Sequence, residues 1–335
     1  MTVKKFFGSI FALLSLSVVG LALAQSFDIK APAFLPFHSA STNSISGREG
    51  HDGPVLVVKI DDTEGARPQT GLESADLVYI EQVEGGLTRL ASVFSSTIPQ
   101  TIGPVRSARI SDIELLAQYG KVAFAYSGVQ KKMIPVVASA NIYDVGANKY
   151  GPSFYANDAT RIPPYAMMLN AQALMQKVSS NGISPEQSRN MGWNFGDQDL
   201  SQASTIVGAH FSWPASSYDI SWDGERWLLS HLGTPDIASS GERLYADTFV
   251  AQIVSITDSI YHDKVGGVTP FSATVGSGDA YIFRDGKVLQ VRWNRGSAES
   301  GTTFTTVAGD EIKFKAGRIW VALLSKAPTF TPTQR

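Results

Sequence analysis

Four acids, Asp61, Asp62, Glu81 and Glu84, and three arginines, Arg89, Arg106 and Arg109, crowd into the stretch 61–112. Only 17% of the chain is charged, so this concentration among apolar runs calls for a reason. Either the charges pair with one another, or they meet a ligand. Two guanidiniums and Ser107 entering just ahead of a helix N-terminus, with Arg89 nearby, suit a carboxylate, phosphate or sulfate. They also sit where cations are unfavourable by a few tenths to about 1 kcal/mol. An internal anion from Asp61, Glu81 or Glu84 would answer that cost equally well, and the sequence supports both readings alike. Glu81 and Glu84, with Asp61 as partner, are candidate general acid/base residues, since glycoside hydrolysis needs two carboxylates roughly 5–10 Å apart. Strand alternation sends them to opposite faces, so a turn at Glu84 would have to reunite them. Asp61 and Asp62 with Glu81 offer oxygens to a hard cation, but adjacent strand residues point opposite ways.

Other chemistries find less footing. The five histidines are scattered without ligand spacing, and no metal site is expected. Ser127 precedes Gly128 at a strand end, yet no histidine is placed near it and the serine-hydrolase motifs are missing, so it reads as a turn serine. No glycine-rich phosphate loop occurs, and no cofactor is expected. With no cysteine there is neither disulfide nor thiolate nor lipid-modified cysteine.

The elements that must position these residues are partly legible. Val55 to Val58 is a β-branched run that delivers Asp61 and Asp62 to a strand end. Residues 77–83 and 88–94 flank Glu84-Gly85-Gly86-Leu87 as a hairpin, with Tyr79, Glu81 and Val83 on one face and Arg89, Ala91 and Val93 beside them. Ser111 and Glu114 form a capping box that predicts a helix from there to about Tyr119, stopped by Gly120. Val122 to Tyr126 reads as a strand, and a short helix is expected around Lys131 to Ala138. A further helix is expected from Tyr165 to Val178, striped by Met167, Met168, Ala171, Leu174 and Met175. Beyond residue 205 the helical period vanishes. Asp223-Gly224 and Asp285-Gly286 each suit a two-residue hairpin turn, and the tryptophans there read as core. The expected fold is an α/β N-terminal domain with a mixed sheet, 54–205, followed by a mainly β domain, 206–327.

Residues 1–24 read as an export signal: Lys4 and Lys5, an apolar run, then Ala22-Leu23-Ala24 before a cut at Gln25. Retention of the segment as an anchor is the alternative. Cleavage takes the net charge from −2 to −4, which argues against a nucleic-acid partner. Residues 25–53, rich in glycine, proline and serine, read as a flexible linker. The expectation is an extracytoplasmic protein with no transmembrane segment after signal cleavage.

Several blocks are similar to the YerB-like family of bacterial envelope proteins. They include Arg67-Pro68-Gln69-Thr70-Gly71-Leu72, Glu84-Gly85-Gly86-Leu87-Thr88-Arg89 and Gly103-Pro104-Val105-Arg106-Ser107-Ala108-Arg109, and later Gly317-Arg318-Ile319-Trp320. The resemblance spans nearly all of 55–325. It implies a two-part architecture and an envelope location but carries no biochemical activity. Many members are lipid-anchored through a cysteine, which this chain lacks. Relatives also carry an arginine followed by a Pro-His-Asn segment. Here Arg161, Pro163 and Pro164 are followed by Tyr165 and Ala166, so any chemistry of that histidine is lost while Arg161 stays a candidate ligand-binding residue. The reading that emerges is an exported protein binding an anionic or glycan wall component. The alternatives are an envelope-polymer hydrolase or transferase, and a scaffold for envelope proteins.

Overall fold

The computed structural model describes residues 41–333; the expected leader and residues 25–40 of the expected linker lie outside that span. A mixed sheet of sixteen strands dominates. Strand β1 (Leu56–Asp61) pairs antiparallel with β3 (Thr88–Phe94), which pairs antiparallel with β2 (Leu77–Gln82). The strand Val122–Ala125 lies parallel to β1, and Ile142–Asp144 parallel to that. On the other side, Ile319–Leu324 slots between β2 and Thr248–Ile253, parallel to both. A strand from the end of the chain thus completes the sheet begun at its start, and the boundary expected near 205 does not divide it.

The expected α/β character of the first half is only partly present. Its helices are short, Ile110–Ala117 (α1) being eight residues, and strands outweigh them. Both sheet faces are apolar with the period of two that a covered sheet requires. Val58, Ile60, Val78 and Ile80 belong to one core, and Val57, Leu77, Tyr79 and Val93 to the other. Trp213, Trp227, Trp293 and Trp320 are buried, as core residues should be.

Four local expectations change. Residues 41–53 pack rather than dangle: Ile45 is fully buried, Asn43 Nδ2 donates to Ser95 Oγ at 2.7 Å, and Ser46 Oγ donates to Asp76 Oδ1 at 3.0 Å. The polar composition that suggests flexibility instead supplies hydrogen bonds. The helix expected from Tyr165 begins only at Ala171, because Met167–Asn170 is a strand pairing with Tyr155–Asn157 and Thr101–Ile102. Asn170 caps the helix, accepting from the Ala173 N–H at 3.2 Å. The residues of the Ser111/Glu114 box point elsewhere: Ser111 Oγ accepts from Ser272 N, and Glu114 from Thr274 and Val275. Asp112 takes over as cap, receiving the Arg109 N–H at 2.6 Å. Finally, Asp285-Gly286 is a two-residue turn with positive φ at both positions, but Trp222 pairs with Trp227, which leaves a four-residue loop at Asp223.

Candidate functional site

Register explains how the charges assemble. Asp61 lies opposite Arg89, and Arg89 opposite Glu81, so the three form one cross-strand row. The row ends the face that carries Val57, Tyr79 and Ala91, and α1 lies over that face through Leu115 and Leu116. The residues just before α1 return to β1, where the Arg106 N–H donates to the Lys59 carbonyl at 2.8 Å. Arg106, Ser107 and Arg109 are thereby carried to the row from outside the sheet.

Above it opens a cleft of about 760 Å³. Arg89, Arg106, Ser107 and Arg109 line its floor together with Glu84 and Thr269. One wall is Val105, Val129, Met133, Met167, Pro163 and Pro164; the opposite lip is the tip of the hairpin Ser255–His262/Val268–Ala273, with His262, Lys264 and an almost fully exposed Val265.

Two of the three arginines have internal anions. Arg106 Nε lies 2.6 Å from Asp61 Oδ2, although the approach is too oblique for a hydrogen bond, and its guanidinium sits over the Tyr165 ring at 5.9 Å. Arg109 Nε contacts Glu84 at 2.7 Å. Burial works to raise the Glu84 carboxyl, but Arg109 and the Thr269 hydroxyl prevail and hold it below the ordinary carboxylate range. Arg89 differs. Only 8% of it is exposed, its Nη1 donates to the Ser107 carbonyl at 3.0 Å, and among the described residues no carboxylate lies within salt-bridge distance of it. Burial, and then Arg109 and Arg106 beside it, push its proton affinity down to about 9. Of the three guanidiniums, Arg89 alone has no carboxylate in contact, the nearby Glu81 and Asp112 being taken by Lys59.

The remaining candidates separate. Glu81 is fully buried against Lys59 Nζ, away from the cleft, and does not combine with Glu84 into an acid/base pair. Arg161 lies outside the cleft, donating to the Ala66 carbonyl at 3.0 Å and pairing with Asp158 at 3.5 Å, so it braces a loop. Ser127 lines the cleft 3.5 Å from Ser107 Oγ. Asp61 and Asp62 do point apart. Asp62 enters a second buried network, accepting from Arg67 Nη2 at 2.6 Å, from the Tyr218 hydroxyl at 2.6 Å and from Thr88 Oγ1 at 2.5 Å. Arg67 also contacts Asp236 and donates to His231 Nδ1 at 3.1 Å. Because Nδ1 accepts, the His231 proton is on Nε2, 3.2 Å from Ser216 Oγ. That tautomer donates to the serine and cannot take its proton. No group of three metal-ligating side chains occurs among the described residues.

Sequence reasoning missed Lys59, Arg67, Asp112 and the hairpin tip. Lysine inside Val57-Val58-Lys59-Ile60 was the available signal, since a lysine in a two-faced buried strand requires a buried counter-ion.

The mixed sheet thus carries a cleft floored by three arginines. The chain belongs to a family of unknown function: it matches the DUF3048 N-terminal domain over residues 41–184 and the DUF3048 C-terminal domain over 207–321. It is 24% identical over 276 residues to "Putative lipoprotein YerB" of Bacillus subtilis (strain 168), covering 81% of each chain. It also superimposes on the crystal structure of the Bacillus subtilis YerB protein with a TM-score of 0.74 at 18% identity, over 87% of this chain and 99% of that one. That likeness establishes the shared fold.

Proposed function

We propose that this is an extracytoplasmic envelope protein that binds an anionic group of a cell-wall polymer in the cleft floored by Arg89, Arg106 and Arg109. The observation that carries the reading is Arg89, a nine-tenths buried guanidinium opening on the cleft with no carboxylate of its own. A buried, unpaired charge costs several kcal/mol and persists where a ligand completes it. Asp61 and Glu84 orient Arg106 and Arg109 through Nε; Arg109 Nη1 is taken by the Ser107 and Ala108 carbonyls, which leaves Arg109 Nη2 and the outer nitrogens of Arg106 for the ligand. The envelope location draws on the basic-apolar leader of the sequence and on a relative described as a lipoprotein. Among the described residues no helix is long and apolar enough to cross a membrane.

The hydrolase or transferase reading has less support, because Glu81 is sealed beneath the floor and Glu84 is held ionised, unlike a general acid. Co-sedimentation of the purified protein with cell-wall sacculi tests the proposal. Wild type should pellet and be released by salt, while Arg106→Ala/Arg109→Ala, folded by circular dichroism, should stay in solution. Equal pelleting of the two proteins would overturn it.

A further inference from the structure

Beneath the arginine floor lies a group of side chains that ligand binding does not use. Lys59 on β1, Glu81 on β2 and Asp112 on α1 are all fully buried. Lys59 and Tyr79 share one cross-strand partner, Ala91 on the intervening β3. The small side chain of Ala91 leaves room for the lysine stem to cross that strand to Glu81. Lys59 Nζ lies directly against Glu81 Oε1, and Asp112 Oδ1 accepts from the same Nζ at 2.9 Å. Apart from Lys59, no donor reaches either Glu81 oxygen among the described residues. An ionised carboxylate in that setting is severely under-solvated.

We propose that Lys59 and Glu81 join in an intramolecular amide, an isopeptide cross-link between β1 and β2 that this chain forms by itself, with Asp112 as the proton carrier. Proton transfer inside the Lys59–Glu81 pair gives a neutral amine and a neutral carboxylic acid. The Nζ lone pair attacks Glu81 Cδ. Asp112 takes a proton from Nζ and delivers it to the departing hydroxyl, the C–O bond breaks, and one water leaves. The N–C bond replaces the C–O bond, Asp112 ends as it began, and no oxidant or co-reactant is needed. Burial favours each stage: it pushes the Lys59 ammonium down to about 8, against the opposing pull of Asp112, which makes the free amine accessible. The product exchanges two buried charges for one neutral amide whose N–H still faces Asp112. A buried ion pair is the competing account, and the two differ by the mass of a water.

Tryptic mapping of the full chain decides between them. Cleavage after Arg48, Lys59 and Arg89, with the Arg67–Pro68 bond resisting the protease, gives separate peptides 49–59 and 60–89 if the pair is only ionic. A cross-linked chain gives one looped 49–89 peptide lighter by one water, because an acylated Lys59 is no longer cut. Lys59→Arg, which keeps the charge but cannot form this amide, should have the full mass, and Asp112→Asn should accumulate the uncross-linked form. Separate peptides of full mass from wild type would overturn the proposal, whether or not the variants fold. Complete cross-linking in Asp112→Asn would overturn the role given to Asp112.

Discussion

Replacing Arg89 with methionine should strengthen the fold while weakening the ligand site. Methionine keeps most of the apolar stem that packs in the sheet and removes the guanidinium. In the folded protein that group holds its proton only to about 9 instead of 12.5. At 1.36 kcal/mol per pH unit, the charge costs the folded state about 5 kcal/mol at most. Water in the cleft and the lost hydrogen bond to Ser107 reduce this, leaving a net gain of about 1–2 kcal/mol for the variant. The Ser107 carbonyl is not orphaned, because Arg109 Nη1 also donates to it at 3.3 Å. The sign follows from a base whose folded affinity is depressed: its penalty is complete at neutral pH and fades as pH rises from about 9 towards 12.5. Urea unfolding at neutral pH reads the stability, and sacculus co-sedimentation reads the binding. A charge-assisted contact of about 1.5–3 kcal/mol should disappear, about a tenfold to hundredfold loss. Destabilisation by more than about 1 kcal/mol would refute the reasoning, since Arg89 would then be a paired structural charge.

Arg67→Ala strips Asp62 and Asp236 of their shared cation and should cost about 3–5 kcal/mol at neutral pH. Burial already raises both carboxyls, so the folded state binds the extra protons; the deficit should shrink towards pH 4 and grow as pH rises, and a flat urea-unfolding profile would contradict this. Burial, then Arg67, push His231 from 6.5 down to about 4. Stability should therefore fall by up to about 3 kcal/mol as pH drops through that window, and imidazole NMR should find His231 neutral at pH 5.5; an ordinary titration near 6.5 would refute it. In the hairpin turn, both glycines have positive φ, but a Cβ on Gly85 meets open space while one on Gly86 would sit 2.5 Å from Pro214 Cβ. Gly85→Ala should cost about 1 kcal/mol of backbone strain and Gly86→Ala clearly more in chemical denaturation; equal losses would show that Pro214 yields freely.

The sequence by itself determined the local structure around the site. The β-branched run before Asp61 and the turn glycines between 77–83 and 88–94 mark β1, β2 and β3, because hydrophobic period and turn chemistry are short-range properties. Alternation placed Glu81 and Arg89 on one face and sent Asp61 and Asp62 apart, as the structure has them. It also marked the arginine run before α1 as either a ligand site or an internal ion-pair cluster, without saying which arginine lacks a partner. That was decided by tertiary structure alone, because pairing depends on which strands become neighbours. Lys59 reached Glu81 across β3 and diverted it from the arginines. The hairpin tip beyond residue 262 came to line the cleft with an arginine floor more than about one hundred and fifty positions earlier in the chain. The strand Ile319–Leu324 was readable as a strand, but its place between β2 and Thr248–Ile253 was not. A strand's own residues specify its faces, whereas its edges are specified by the chain that covers them.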